Sequence, residues 1–92
     1  MIVAATTWDL HLPNCASLKD KRSVLKPLVT ALRRANLSVA EIDHQDLWQR
    51  AGLACAVIGS ARSVVEGELR AADRLIEETD GVRIVDTVTE WR

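Results

Sequence analysis

The sequence predicts an α+β fold of β-α-β-β-α-β order, a ferredoxin-like sandwich whose four-stranded antiparallel sheet carries two helices on one face. Three observations point to it. Ninety-two residues suit a single core, so residues 1–92 are expected to form one domain. Two stretches with helical spacing of apolar residues alternate with stretches of strand spacing. Each helical stretch has a serine before it and an Asn or Gly behind it.

The first strand runs from Ile2 to Leu12. Ile2, Ala4, Thr6, Trp8, Leu10 and Leu12 fall on one face, with Val3, Ala5, Thr7, Asp9 and His11 on the other. Pro13 and Asn14 stop it, because proline cannot donate to a ladder and Asn favours turns. Ser17 then opens a helix as N-cap, with Asp20 three residues on. This helix is expected to reach about Ala35, its core stripe being Leu18, Leu25, Leu28, Val29 and Leu32. Pro27 should kink it or break it in two, since an interior proline loses one hydrogen bond and crowds the carbonyl four residues back.

Asn36 ends the helix, and Leu37 to Asp43 reads as a second strand, with Ala40 and Ile42 facing one way and Val39, Glu41 and Asp43 the other. Residues 50–59 (RAGLACAVIG) are small and apolar on both faces, as a central strand covered on both sides would be. Ser60 or Ser63 is expected to cap a second helix reaching about Thr79, with Ala61, Val65, Leu69, Ala72 and Ile76 on its inner face. Gly81 supplies the left-handed stop. A last strand, Val82 to about Trp91, is rich in Val, Ile and Thr.

Composition excludes more than it assigns. Four Gly and two Pro leave no room for disorder or collagen-like repeats. Cys15 and Cys55 lack the paired neighbours of a zinc knuckle and fit a reducing compartment as a turn residue and a small buried hydrophobe. The apolar start alternates with Thr7, Asp9 and His11, unlike a signal peptide, and no stretch is long enough to cross a membrane, so a cytoplasmic location is expected. With three Trp and no Phe or Tyr, the chain lacks the stacking aromatics of an RNA-recognition sheet.

Charge is unevenly placed. Residues 1–40 carry six basic and two acidic side chains, net +4, whereas residues 41–92 carry six and eleven, net −5. Lys19, Arg22, Lys26 and Arg33 fall within about 60° of the helical wheel, opposite the apolar arc, and span about 21 Å. Such a stripe suits a phosphate backbone, with salt-dependent binding and no sequence reading. The plainer reading is the solvated face of an amphipathic helix.

A second candidate is DHQDLWQR, residues 43–50. Asp43, His44 and Asp46, with His11, are residue types that bind divalent metals or exchange protons, and together with Gln45 they could form a recognition surface. Asp43 and His44, if both extended, point to opposite faces. The plainer reading is a connection that satisfies its own backbone, with Trp48 buried and Arg50 paired to Asp46 or Asp43. No nucleophile elbow, Gly-rich phosphate loop or HExxH is present.

SVAEIDHQDLWQR at 38–50, with HLP at 11–13 and SLKDKR at 17–22, resembles the YlxP-like family of small bacterial proteins of unknown function, and the likeness runs nearly end to end. On the matching positions His11, Pro13, Ser17, Leu18, Lys19, Lys21, Arg22, Asp43, His44, Gln45, Asp46, Trp48, Gln49 and Arg50 are family signature residues. The chain departs from the family pattern at Pro27 and in the turn Asn14, Cys15 and Ala16. The resemblance implies a ferredoxin-like fold, homo-oligomers, and genes among those for translation initiation and ribosome maturation. It implies no established activity and no cofactor.

Two functions are thus expected to compete. One is a non-enzymatic, homo-oligomeric domain bound to ribosomal RNA or to ribosome-associated proteins through the basic helix. Its half-apolar open sheet face calls for a second copy. The other is a metal- or small-ligand-dependent enzyme with a subunit-boundary site near His11, Asp43, His44 and Asp46.

Overall fold

The computed structural model describes residues 1–92 and gives β1 (Ile2–His11), α1 (Leu18–Arg34), β2 (Ser38–Asp43), β3 (Arg50–Gly59), α2 (Arg62–Glu77) and β4 (Arg83–Trp91). The strands pair antiparallel in the order β2-β3-β1-β4, so the expected ferredoxin-like topology is the one observed. The alternation in β1 is realised: Ala4, Thr6, Trp8 and Leu10 are buried towards the helices. Across the register, Ala51, Leu53, Cys55 and Val57 of β3 complete the same face. Val65, Leu69, Ala72 and Ile76 of α2 and Leu25, Leu28 and Leu32 of α1 close the core over it. Trp8 is its largest fully buried side chain, and its indole N–H donates to Asp73 Oδ1 of α2 at 2.7 Å.

Several expectations are corrected. β3 is central but covered on one side only: Ala56 and Ile58 face outward, Ile58 being 60% exposed. Small apolar residues on both faces reflect, on the outer face, a bare sheet surface and not a second layer. α1 runs unbroken through Pro27. Pro27 and Ser23 are both exposed, so the ring and the Ser23 carbonyl that loses its N–H partner belong to the solvent side of the helix. Ser17 caps α1 as expected, accepting from the Asp20 N–H at 3.0 Å, and the Asp20 carboxylate accepts from Ala16 N–H in return. α2 starts instead from Ala61 without a side-chain cap. Asn36, at φ 62°, ends α1, and Gly81, at φ 79°, precedes β4.

β2 carries a bulge. Glu41 opposes Leu53, yet Asp43 opposes Gly52, so Ile42 is the extra residue and Asp43 turns to the open face of the sheet. A Cβ at position 52 would stand 2.7 Å from the Asp43 Cβ, so this crossing requires glycine.

Candidate functional site

α1 presents its cations unpaired. Lys19, Arg22, Lys26, Arg33 and Arg34 are all exposed, and none has a carboxylate within 4 Å. The stripe does not lie opposite the apolar arc, however. On a 100° wheel its centre is about a quarter-turn or a little more from that arc, which brings it to the flank of the helix facing β2. Arg33 reaches across to donate to the Val39 carbonyl at 3.2 Å. Between α1 and β2 lies a groove of about 470 Å³, with Leu25, Val29 and Leu53 at its base and Arg22, Lys26 and Arg33 on its rim.

Lys21, a cation of the same helix, does not share that flank. It is 3% exposed, and its ammonium donates to the carbonyls of His44 at 2.7 Å and Leu47 at 3.0 Å and pairs with Glu41 Oε2 at 2.9 Å. Three acceptors match its three N–H groups, which makes the burial of its charge tolerable. The signal was present in the sequence, because Lys21 falls on the wheel among Leu25, Leu28 and Leu32. A lysine in an apolar arc must find a partner.

What Lys21 holds is the 43–50 loop. His44 adopts a left-handed backbone, φ 57°, with its N–H taken by Asp43 Oδ1 at 2.9 Å and its carbonyl shared by Lys21 and the Leu47 N–H. Gln49 ties the loop to the other two signature segments: its carbonyl accepts from Leu12 N–H, and its amide donates to the carbonyls of Pro13 and Cys15. HLP, SLKDKR and DHQDLWQR therefore meet at one pole of the molecule.

On the open sheet face at that pole, Arg50 pairs with Asp9 and not with Asp43 or Asp46. The Arg50 hydrogen bond holds the Asp9 carboxyl below its ordinary range against the opposing effect of burial, with His44 adding to the lowering, and Asp9 in turn raises Arg50. His44 is brought between two carboxylates because its turn backbone is not extended: Nε2 stands 3.4 Å from Asp9 and Nδ1 3.9 Å from Asp43. These acids address opposite nitrogens of one ring, and no three His, Cys, Asp or Glu side chains converge to hold an ion. His11 lies in register with Arg50 and Arg83, and Asp46 forms no ion pair; of the four residues expected to share a site, Asp43 and His44 are the pair within 4 Å. Trp48 is not buried; it is 53% exposed, beside Leu47 at 50%. Gln45 lies exposed next to the groove, its amide 3.4 Å from the Glu41 carbonyl. Cys15 and Cys55 are free and buried, and burial raises both thiols away from reactivity. Asp9 and Gln49 as anchors were missed, since their partners lie 34 to 41 residues away in sequence.

Comparison with known proteins bears on the family and the fold. A family model described as a protein of unknown function (DUF503) matches residues 3–89. The Uncharacterized protein YlxP of Bacillus subtilis (strain 168) is 37% identical over 79 residues, covering 85% of this chain and 86% of that protein. Among solved structures, a de novo designed protein with ferredoxin fold aligns with TM-score 0.56 at 11% identity, over 100% of this chain and 84% of the other. A dimeric ferredoxin-like protein from an uncultured marine organism aligns with TM-score 0.47 at 8% identity, over 100% and 94%. The designed protein's likeness shows the fold alone. No helix is long and apolar enough to cross a membrane.

Proposed function

The chain belongs to the DUF503 family, and for it we propose a non-enzymatic binding role: a small domain that associates with RNA, ribosomal RNA first, through the cations of α1. One observation carries the reading. Lys19, Arg22, Lys26 and Arg33 stand on one helix flank with no acidic partner, in a chain whose net charge is −1. Like charges four residues apart, such as Arg22 and Lys26, cost a helix about 0.2–0.5 kcal/mol unless an anion joins them. Phosphates supply that anion and release counterions on binding. This function belongs to the cytoplasm, where both free cysteines also stay reduced.

The test is binding of a labelled ribosomal RNA fragment at several salt concentrations. Changing Lys19, Arg22, Lys26 and Arg33 together to Gln is expected to remove most of the affinity and to flatten the slope of log affinity against log salt by about 0.7–0.9 per lost contact. Unaltered binding in that variant overturns the reading.

Self-association through the open sheet face accompanies it. Val3, Ala5, Ala54, Ala56, Ile58 and Val88 form an apolar patch above the Asp9–Arg50 cluster, and Ile58 and Val88 are both more than half exposed. A second copy laid on this face removes that surface from water. Sedimentation is expected to show a dimer that Ile58→Lys dissociates; monomer alone at high concentration removes the claim.

A further inference from the structure

We propose that the groove between α1 and β2 is a binding site for a phosphorylated nucleoside, its base laid on the apolar floor and its phosphate on the cationic rim. The inference rests on the RNA reading of α1 and deepens it, because Arg22, Lys26 and Arg33 belong to both.

The groove has the size and the division of chemistry that such a ligand needs. At about 470 Å³ it lies within the range of small-molecule sites, which run from about 300 to 1,000 Å³. Its floor is the exposed edge of the core: Leu25 and Leu53 are almost wholly buried beneath it, and Val29 is half-buried. Four cations and one carboxylate line it, and Lys21 and Glu41 satisfy one another, which leaves Arg22, Lys26 and Arg33 without an acidic partner. An anion is therefore the missing charge. Arg33 is already fixed at one end by its bond to the Val39 carbonyl, so one rim group is positioned before any ligand arrives.

The polar part of the lining argues for a base over an alkyl chain or an apolar peptide. Gln45 and Thr30 open onto the groove, and an apolar occupant would strand their polar atoms. A base edge and a ribose offer them donors and acceptors. The chain lacks Phe and Tyr, and no Trp lines this groove, so stacking falls to the arginine planes and the leucine floor. The shared chemistry has two sources, a free mononucleotide or a nucleotide extruded from an RNA strand.

The experiment uses the whole chain and the probes adenosine monophosphate, adenosine and inorganic phosphate, followed by methyl chemical shifts of Leu25, Val29 and Leu53. Adenosine monophosphate is expected to move these methyls and to bind at least tenfold more tightly than either half alone. Equal binding of adenosine monophosphate and inorganic phosphate overturns the proposal, since the floor then contributes nothing. Val29→Trp fills the groove from its base; Thr30→Trp fills it from the exposed side and serves if the first variant unfolds. Both are expected to lose the mononucleotide while duplex RNA binding and its salt slope persist, and retention of the mononucleotide by a folded variant overturns the site.

Preference for single-stranded over duplex RNA of equal length, lost in the same variants, identifies an extruded nucleotide as the source. Mononucleotide binding without that preference identifies the free form. An acidic, leucine-containing peptide that displaces the mononucleotide at lower concentration than RNA does overturns the nucleotide in favour of a protein partner. If no RNA binds but adenosine monophosphate does, the function proposed for α1 fails and the groove stands; if RNA binds through the α1 cations and the mononucleotide does not, the groove fails alone.

Discussion

α1 and α2 perform the same structural task and use charge in opposite ways. Each lays an apolar stripe on the same core, but α2, although its Glu68, Arg70, Arg74 and Glu77 form no ion pair, commits Arg62, Glu66 and Asp73 to the fold. Its Asp73 accepts from the buried Trp8 indole, and Arg62 pairs with Glu66 one turn on while its guanidinium lies 4.1 Å from the centre of the Trp91 ring. α1 leaves five of its six cations without acidic partners and turns one, Lys21, inward. Charge that a fold uses is met by a partner within the chain. Charge that it leaves unmet along one flank is available to something else, and this contrast underlies the reading of α1 as a binding surface.

The inward lysine gives the largest expected effect. Lys21→Met keeps the volume in the apolar arc but takes a charged donor from the His44 and Leu47 carbonyls and leaves the Glu41 carboxylate unpaired, and removal of one partner from such a group costs about 2–4 kcal/mol. In a domain of this size that lowers Tm by roughly 4–8 °C per kcal/mol. Amide exchange in residues 44–49 should rise with it, because the left-handed His44 turn loses its tie. Lys26→Met, one helix face away, should change stability by less than about 0.5 kcal/mol. Equal effects from the two variants would dissolve the distinction between used and unused charge.

The counterpart on α2 is Asp73. Asp73→Ala leaves the Trp8 N–H unpaired in the core, at a cost of about 1–3 kcal/mol, whereas Asp73→Asn keeps an acceptor and should recover most of it. Chemical denaturation measures both, and a full loss in the Asn variant would show that the carboxylate charge matters there and not the hydrogen bond.

Much of this was legible in the sequence, and the failures share a cause. Element order, the buried face of β1, the inner face of α2 and the Ser17 cap follow from local periodicity, which residues near in sequence determine. The partners of Arg50, Gln49 and Lys21 do not, because they lie on other elements: Asp9 is 41 residues from Arg50, and the Lys21 acceptors are set by a turn whose shape depends on His44 being left-handed. Trp48 was misjudged for a related reason. A large aromatic next to a strand is ordinarily core, but the loop is anchored through Lys21 and Gln49, which leaves the indole half in water. Trp48→Ala is thus expected to cost less than about 1 kcal/mol in thermal unfolding, well short of the 3–5 kcal/mol of a core tryptophan.

The pole offers a pH-dependent version of the same contrast. Asp9 titrates lower in the folded chain than in the unfolded one, chiefly through its hydrogen bond from Arg50. The stability it contributes is therefore complete above the unfolded value of about 3.9 and is lost as pH falls through the folded one. Asp9→Asn should flatten the acid limb of a plot of stability against pH below about pH 4.

The smallest effect on stability has the most informative sign. Lys19, Arg22 and Lys26 repel one another at spacings of three and four residues on α1, with no carboxylate nearby to relieve them. Gln is nearly as good a helix former as either side chain, so changing all three to Gln removes repulsion at little cost in propensity. The variant should be more stable than the parent by a few tenths of a kcal/mol at low salt, with the gain vanishing at high salt as the repulsion is screened. The mirror change on α2, Arg62→Gln, should instead lose about 0.5 kcal/mol or somewhat more, because it removes the Glu66 pair and the contact with Trp91. A gain in stability that coincides with lost RNA affinity is what a surface kept for a partner produces. A loss in stability from the α1 variant would mean that those cations serve the fold after all, and the contrast between the two helices would fail.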